Sequence, residues 1–190
     1  QGLGFNYLNL AKVPVERDIV YNVIAVQDQD TIGKIPYLNC VPFYDRFESR
    51  PFRVLPLVPH QMGKLADSHQ IEGGPFSLLD FWRVEQQYEP LNYGIAVKSY
   101  ARSVILYSKH AWRELEGKHI GITADTSTSI ELLKALLAHK YGVQAKFARM
   151  HPVFQAHETE HLEAVLVIGD EALLRAKAGL ANFRFVYDLG

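Results

Sequence analysis

Apolar and polar positions follow one recurring order along this chain: a short apolar run, a small or polar turn, then a stretch with helical spacing. Residues 31–35 lead into the turn PYLN and a helical segment at 41–47. Residues 70–73 lead into Gly74-Pro75-Phe76 and a helix over about 78–86. The run HIGIT (119–123) precedes residues 124–128 and an amphipathic helix, and residues 162–168 precede Gly169-Asp170 and a helix ending near Gly179. Short apolar runs bounded by turn residues read as strands. Four strand–loop–helix units in succession predict an α/β architecture with mainly parallel strands.

The third unit is the clearest. Ile130, Leu132, Leu133, Leu136, Leu137 and Tyr141 fall on one face at helical spacing, which predicts a helix over 129–141 with that face in the core. Thr128 and Glu131 have capping-box spacing, and Gly142 stands where a left-handed residue ends a helix. Ser77 and Asp80 repeat the capping spacing at the second helix, and Asp170 is a candidate cap for the fourth.

Composition narrows the class. The chain has 190 residues with 48% hydrophobic and 22% charged, which excludes a disordered or collagen-like segment. A net charge of −1 gives no basic excess to hold a polyanion, so nucleic acid is not an expected partner. No apolar run approaches the roughly 18 residues of a membrane span. A single cysteine, Cys40, excludes an intrachain disulfide and fits a reducing compartment. The chain begins with Gln1, which points to a processed, trimmed or partial chain, and residues 1–30 lack the order of a signal peptide. Within them IVYNVIAV (19–26) has the composition of an added strand.

Several positions carry candidate chemistry. Asp125-Thr126-Ser127-Thr128-Ser129 puts hydroxyls at a helix start, where free amides and the helix dipole favour a carboxylate or phosphate; the same residues also serve as ordinary caps. Gly73-Gly74-Pro75 allows a close backbone approach to a ligand, or makes a tight turn. Asn39 either caps a helix or offers its amide to a ligand. Cys40 is either a thiol nucleophile or a buried small hydrophobe. His157-Glu158-Thr159-Glu160-His161 matches H-E-x-x-H, which on a helix holds zinc. Here an apolar run begins directly after His161 and Pro152 lies upstream, so the motif reads as a solvated loop and no metal is expected.

Taken in order, IGKIPYLNCVPFY (32–44), GGPFSLLDF (73–81), SVILYSK (103–109), LEGKHIGITADTSTSIELLKALL (115–137), LVIGDEALL (166–174) and YDLG (187–190) resemble the chorismate dehydratases of the futalosine route to menaquinone. The resemblance spans about residues 31–190, and the PYLN loop favours this family over the sister dihydroxynaphthoate synthase. It implies a two-lobed α/β fold of the type II periplasmic-binding-protein kind, with substrate in the cleft between lobes. The expected organisation is an extension at 1–30, a first lobe at 31–98, a second at 99–185, and the start of a return crossing at 186–190. The first lobe is expected to be incomplete, because family members continue past Asp-Leu-Gly.

The implied activity is a cytoplasmic lyase converting chorismate to 3-[(1-carboxyvinyl)oxy]benzoate without metal or organic cofactor. The matched residues are Asn39 and Ser103 as catalytic, with Ser77, Thr128 and Ser129 as substrate-binding. None is a good base at neutral pH. The proton acceptor is therefore Glu72, Asp125 or the substrate's own carboxylate, of which the last is preferred. A non-catalytic carboxylate-binding protein of the same fold is the alternative.

Overall fold

A computed structural model describes residues 30–44, 52–92, 94–123 and 126–190. The extension and its candidate strand at 19–26 lie outside the described residues, as does Asp125. None of the described helices is long and apolar enough to cross a membrane.

Two sheets form. In the first, β1 (Thr31–Lys34) pairs in parallel with β2 (Arg53–Pro56). The run expected as a strand at 70–73 contributes a single parallel bridge, Ile32 to Gly73, on the other side of β1. Its amides are tied down by Glu72 N–H donating to the Thr31 carbonyl and Gly33 N–H to the Gly73 carbonyl, both at 2.8 Å. Helices α1 (Pro59–Asp67) and α2 (Leu78–Val84) cover this sheet, burying Met62, Ala66 and Val84 against Ile35, Leu57 and Ile71. A methyl group on Gly74 would lie 2.8 Å from Met62 Sδ and 2.9 Å from the Gly33 carbonyl. Gly74 therefore serves chain packing, whereas a methyl group on Gly73 would meet only Ile32 Cδ1, at 3.8 Å. Of the helix expected at 41–47, residues 41–44 belong to a tight 3₁₀ stretch, Leu38–Tyr44, in which Cys40 and Tyr44 are buried, and residues 45–47 lie outside the described residues.

The second sheet has the order β5-β4-β6-β3-β7, built from β3 (Val104–Ser108), β4 (His119–Thr123), β5 (Lys146–Met150), β6 (Ala164–Ile168) and β7 (Phe185–Asp188). Strands β5, β4 and β6 run parallel; β3 is antiparallel to both β6 and β7. Side chains alternate between two cores, as the pleat requires. Ile105, Tyr107, Val165 and Val167 face one side with Phe154 and Phe183, while Leu106, Ala164, Leu166, Ile120 and Ile122 face the other. The near-continuous burial of β3 and β6 marks them as central strands covered on both faces.

Helix α3 (Thr128–Ala135) covers the second of these faces with Leu133, and Leu137 follows in a π-helical continuation, Leu136–Tyr141. Leu132, expected on the core face, is 39% exposed, because at about 100° per residue it lies well off the stripe that carries Leu133 and Leu137. Gly142 takes the expected left-handed conformation, φ 67°, and its N–H closes on the Leu137 carbonyl. Helix α4 (Gly169–Ala178) packs on the opposite face through Ala172. Because β4 and β6 are parallel neighbours, α3 and α4 both start from the same edge of the sheet.

Beside β6, Glu163 is bonded by His110 and lies 3.7 Å from Lys109 Nζ. The hydrogen bond from His110 holds its carboxyl below the ordinary value of 4.5, against a smaller upward push from burial, with the charges of Lys109, His110 and Lys118 acting in the same downward sense. A depressed carboxyl contributes stability that is complete above its unfolded value and is lost as pH falls through the folded one. Glu163→Gln is expected to flatten the acid limb of the stability curve, measured as Tm between about pH 6 and pH 3, while leaving its neutral-to-alkaline part parallel to wild type.

Candidate functional site

The loop after β1 meets the start of α4. Leu38 N–H donates to Asp170 Oδ1 at 3.0 Å, linking residues 132 apart in sequence. Gly169 has φ 66°, and a methyl group there would fall 2.9 Å from Cζ of the Tyr37 ring. Its backbone N–H donates to the Ser103 carbonyl at 2.9 Å. Ser103 is itself held by a knot to its neighbours: Asp188 Oδ1 accepts from Ala101 N–H at 3.1 Å, and Asp188 Oδ2 from Arg102 N–H at 2.7 Å. Asn39 and Ser103 thus flank the same helix start. Asn39 Oδ1 is buried and has no hydrogen-bond partner. Such an oxygen costs on the order of 1–3 kcal/mol unless a donor reaches it.

A second contact lies beside the first. Leu79 N–H, near the start of α2, donates to Thr128 Oγ1 at 3.1 Å, joining it to α3. The capping pattern differs from the sequence expectation at both helices. Ser77 is the N-cap of α2, but its hydroxyl donates to Asp80 Oδ2 at 2.7 Å and caps no amide. Ser127, not Thr128, is the N-cap of α3, and Glu131 pairs with Lys134 at 2.9 Å instead of reaching back. Thr128 is free to serve the other helix because it lies inside its own. Ser129 follows it, half-buried. Thr126, 1% exposed, carries a second orphaned oxygen, Oγ1.

These contacts join loops and helix starts beyond the strand ends, the usual ligand position in open α/β sheets. They bring the segments bearing Asn39 and Ser103 to the start of α4, and the Leu79–Thr128 bond brings the start of α2, after Ser77, to Thr128 and Ser129. Asp170 is a clasp on the Asn39 loop and not a helix cap; Ile168 is the N-cap of α4. This clasp and the Tyr37–Gly169 contact were not singled out by sequence reasoning, whereas Thr126 belongs to the hydroxyl run it named. The one signal for them was a glycine between a strand and an acidic helix start.

Cys40 is buried, and burial first, with the Asp170 carboxylate second, pushes its thiol up to about 11, which removes it as a nucleophile at neutral pH. Glu72 is exposed, and its charge acts on the Tyr88 hydroxyl, which bonds the Ala66 and Ile71 carbonyls. His157 and Glu158 are exposed on a single 3₁₀ turn, Ala156–Thr159, which ends before the exposed His161, so the two histidines do not share a helix face. Among the described residues no group of three or more His, Cys, Asp or Glu is placed to hold a metal ion.

The Tyr37–Gly169 contact is testable. Gly169→Ala is expected to lose about 1–2 kcal/mol to left-handed strain and a further 1–3 kcal/mol to overlap with the ring. Adding Tyr37→Ala should recover the overlap portion alone. A double-mutant cycle of thermal melts measures that coupling, and additive losses would deny the contact.

Comparison with known proteins places this geometry. Protein AF1704 from Archaeoglobus fulgidus matches with a TM-score of 0.63 and 17% identity over 85% of this chain and 60% of its own. The alkanesulfonate-binding protein SsuA from Xanthomonas axonopodis pv. citri, bound to MOPS, matches with a TM-score of 0.61 and 16% identity over 88% of this chain and 62% of its own. At such identities the likeness speaks for the fold, which is that of type II periplasmic binding proteins. The chain thus spans 60% and 62% of the lengths of these two proteins. A family model described as menaquinone biosynthesis matches residues 31–190, and the chain belongs to that family.

Proposed function

We propose that the protein is a cytoplasmic lyase that removes water from chorismate to give 3-[(1-carboxyvinyl)oxy]benzoate. In this reading residues 31–98 form one lobe, residues 99–185 the other, and residues 186–190 begin the return crossing. Substrate occupies the cleft where the loop bearing Asn39 meets the start of α4. The observation that carries the reading is the meeting of two segments at the start of α4, the Asn39 loop through the Leu38–Asp170 bond and Ser103 through its carbonyl on Gly169 N–H, within a chain of the menaquinone biosynthesis family.

The reaction is a redox-neutral elimination: a ring proton and the neighbouring hydroxyl depart, and an aromatic ring forms. Aromatisation supplies the driving force, so the protein's tasks are to orient the substrate and steady the developing charge. Asn39, Ser103, Thr128 and Ser129 are suited to both. They are not bases, and Glu72 is an exposed side chain. The substrate's own side-chain carboxylate, held by Asn39 and Ser103, is therefore the preferred proton acceptor. No metal or organic cofactor enters this scheme.

A non-catalytic carboxylate binder is the second reading, favoured by the shared fold with an alkanesulfonate-binding protein. Incubating the purified chain with chorismate separates the two. Aromatic product supports the lyase, whereas binding without product supports the binder. If the lyase reading holds, Asn39→Ala and Ser103→Ala each lower turnover by at least about tenfold, since one donor aimed at developing charge is typically worth about a hundredfold. Wild-type rates in both variants would remove these assignments. The variant with Glu72→Ala and Asp125→Ala together is expected to keep near-normal turnover, and a collapse would restore a protein base.

A further inference from the structure

One buried carboxylate has no part in the scheme above. Asp80 is 4% exposed, the only acidic side chain among the buried described residues. It has a prepared place: a methyl group on Gly63 of α1 would lie 2.8 Å from its Cγ. Its oxygens have separate partners, Oδ1 accepting from Arg83 Nη1 at 3.0 Å and Oδ2 from the Ser77 hydroxyl at 2.7 Å.

We propose that Asp80 fixes Ser77 as a hydrogen-bond acceptor toward the cleft, so that Ser77 selects a ligand bearing a hydroxyl and does not hold a carboxylate. The inference rests on the chorismate reading given above. An ionised carboxylate only accepts, so the single proton of Ser77 is committed to Asp80. Both lone pairs of Ser77 Oγ remain. The helix cap does not use them, because Ser77 makes no side-chain cap bond and the neighbouring Leu79 N–H goes to Thr128. Ser77 is half-buried next to that contact, where α2 faces α3. A lone pair there bonds only a donor. A ligand carboxylate brings none, and it also meets the negative charge of Asp80 behind the serine. A ligand hydroxyl can donate to Ser77 while its own lone pairs stay open to the proton that departure as water requires. Asp80 is then a positioning residue, and Ser77 a specificity contact.

Chorismate and its dehydrated aromatic product form a matched pair of probes, both dicarboxylates, of which only chorismate carries the hydroxyl. Their affinities for the full chain are measured by titration calorimetry, with short injections at low temperature if turnover interferes. Ser77→Ala is expected to weaken chorismate about two- to tenfold, the worth of one neutral hydrogen bond, and to change product affinity less than twofold. In Asp80→Asn the amide oxygen keeps Arg83, its NH₂ donates to Ser77, and the freed hydroxyl turns outward as a donor. Chorismate then weakens while product tightens, an opposition that a purely structural role would not produce. Equal weakening of both probes by Ser77→Ala, or an unchanged ratio in Asp80→Asn, overturns the proposal and leaves the chorismate reading standing. If circular dichroism shows Asp80→Asn unfolded, the Ser77→Ala ratio decides alone. A wild-type chain that binds neither probe overturns the chorismate reading and this inference with it.

Discussion

Backbone amides at helix starts have no partner within their own helix, and the architecture around the cleft depends on how they are satisfied. At α2 the expected local solution is absent, because the Ser77 hydroxyl is drawn to the Asp80 carboxylate. The acceptor for Leu79 comes from Thr128, 49 residues away on a helix of the other sheet. The same exchange occurs at the loop after β1, where Leu38 N–H takes its acceptor from Asp170 at the start of α4. In both bonds the first half of the chain offers the amide and the second half supplies the oxygen. A cleft closed by such loans has hydrogen bonds at its edges, and a ligand competes for them only by offering acceptors of its own.

Much of the fold is legible in the sequence, because period is a local property. The alternation in β3 and β6, the helical spacing through Leu133 and Leu137, and the terminal Gly142 all depend on residues a few positions apart. Mainly parallel pairing also holds, with β3 as the antiparallel exception that its buried, symmetric composition does not announce. The failures share one cause. Thr128 and Glu131, Ser77 and Asp80, and Asp170 all have the right spacing for local caps, yet none caps as expected. Ser77 and Asp80 bond each other and Glu131 pairs with Lys134, so side chain meets side chain within one turn, while Thr128 and Asp170 accept from amides far along the chain. Spacing identifies which atoms can bond. It does not choose among their partners.

The site divides along the same line. Asn39, Ser103, Ser77, Thr128 and Ser129 come from the resemblance, and the structure places their segments at two contacts beyond the strand ends. The hydrogen-bond polarity of the hydroxyls was not readable from residue types. Serine and threonine hydroxyls both donate and accept, and only the neighbours fix which. Thr128 accepts from a backbone amide, while Ser77 has given its proton to Asp80. Two residues that look alike in the sequence therefore hold opposite hydrogen-bond roles.

That asymmetry bears on why one fold serves both capture and chemistry. A binder of acidic ligands needs donors throughout its cleft, since every ligand group is an acceptor. An elimination of water needs more: the departing oxygen must be held without its lone pairs being occupied, so that a proton can reach them. An acceptor placed among donors provides that hold. Asp80 is well suited to enforce it because its burial between Gly63 and Arg83 leaves the carboxylate little freedom to release the serine. Solvating such a group inside a protein is costly unless its bonds are complete, so the polarity of Ser77 is secured by the packing of α1 against α2 and not by the ligand.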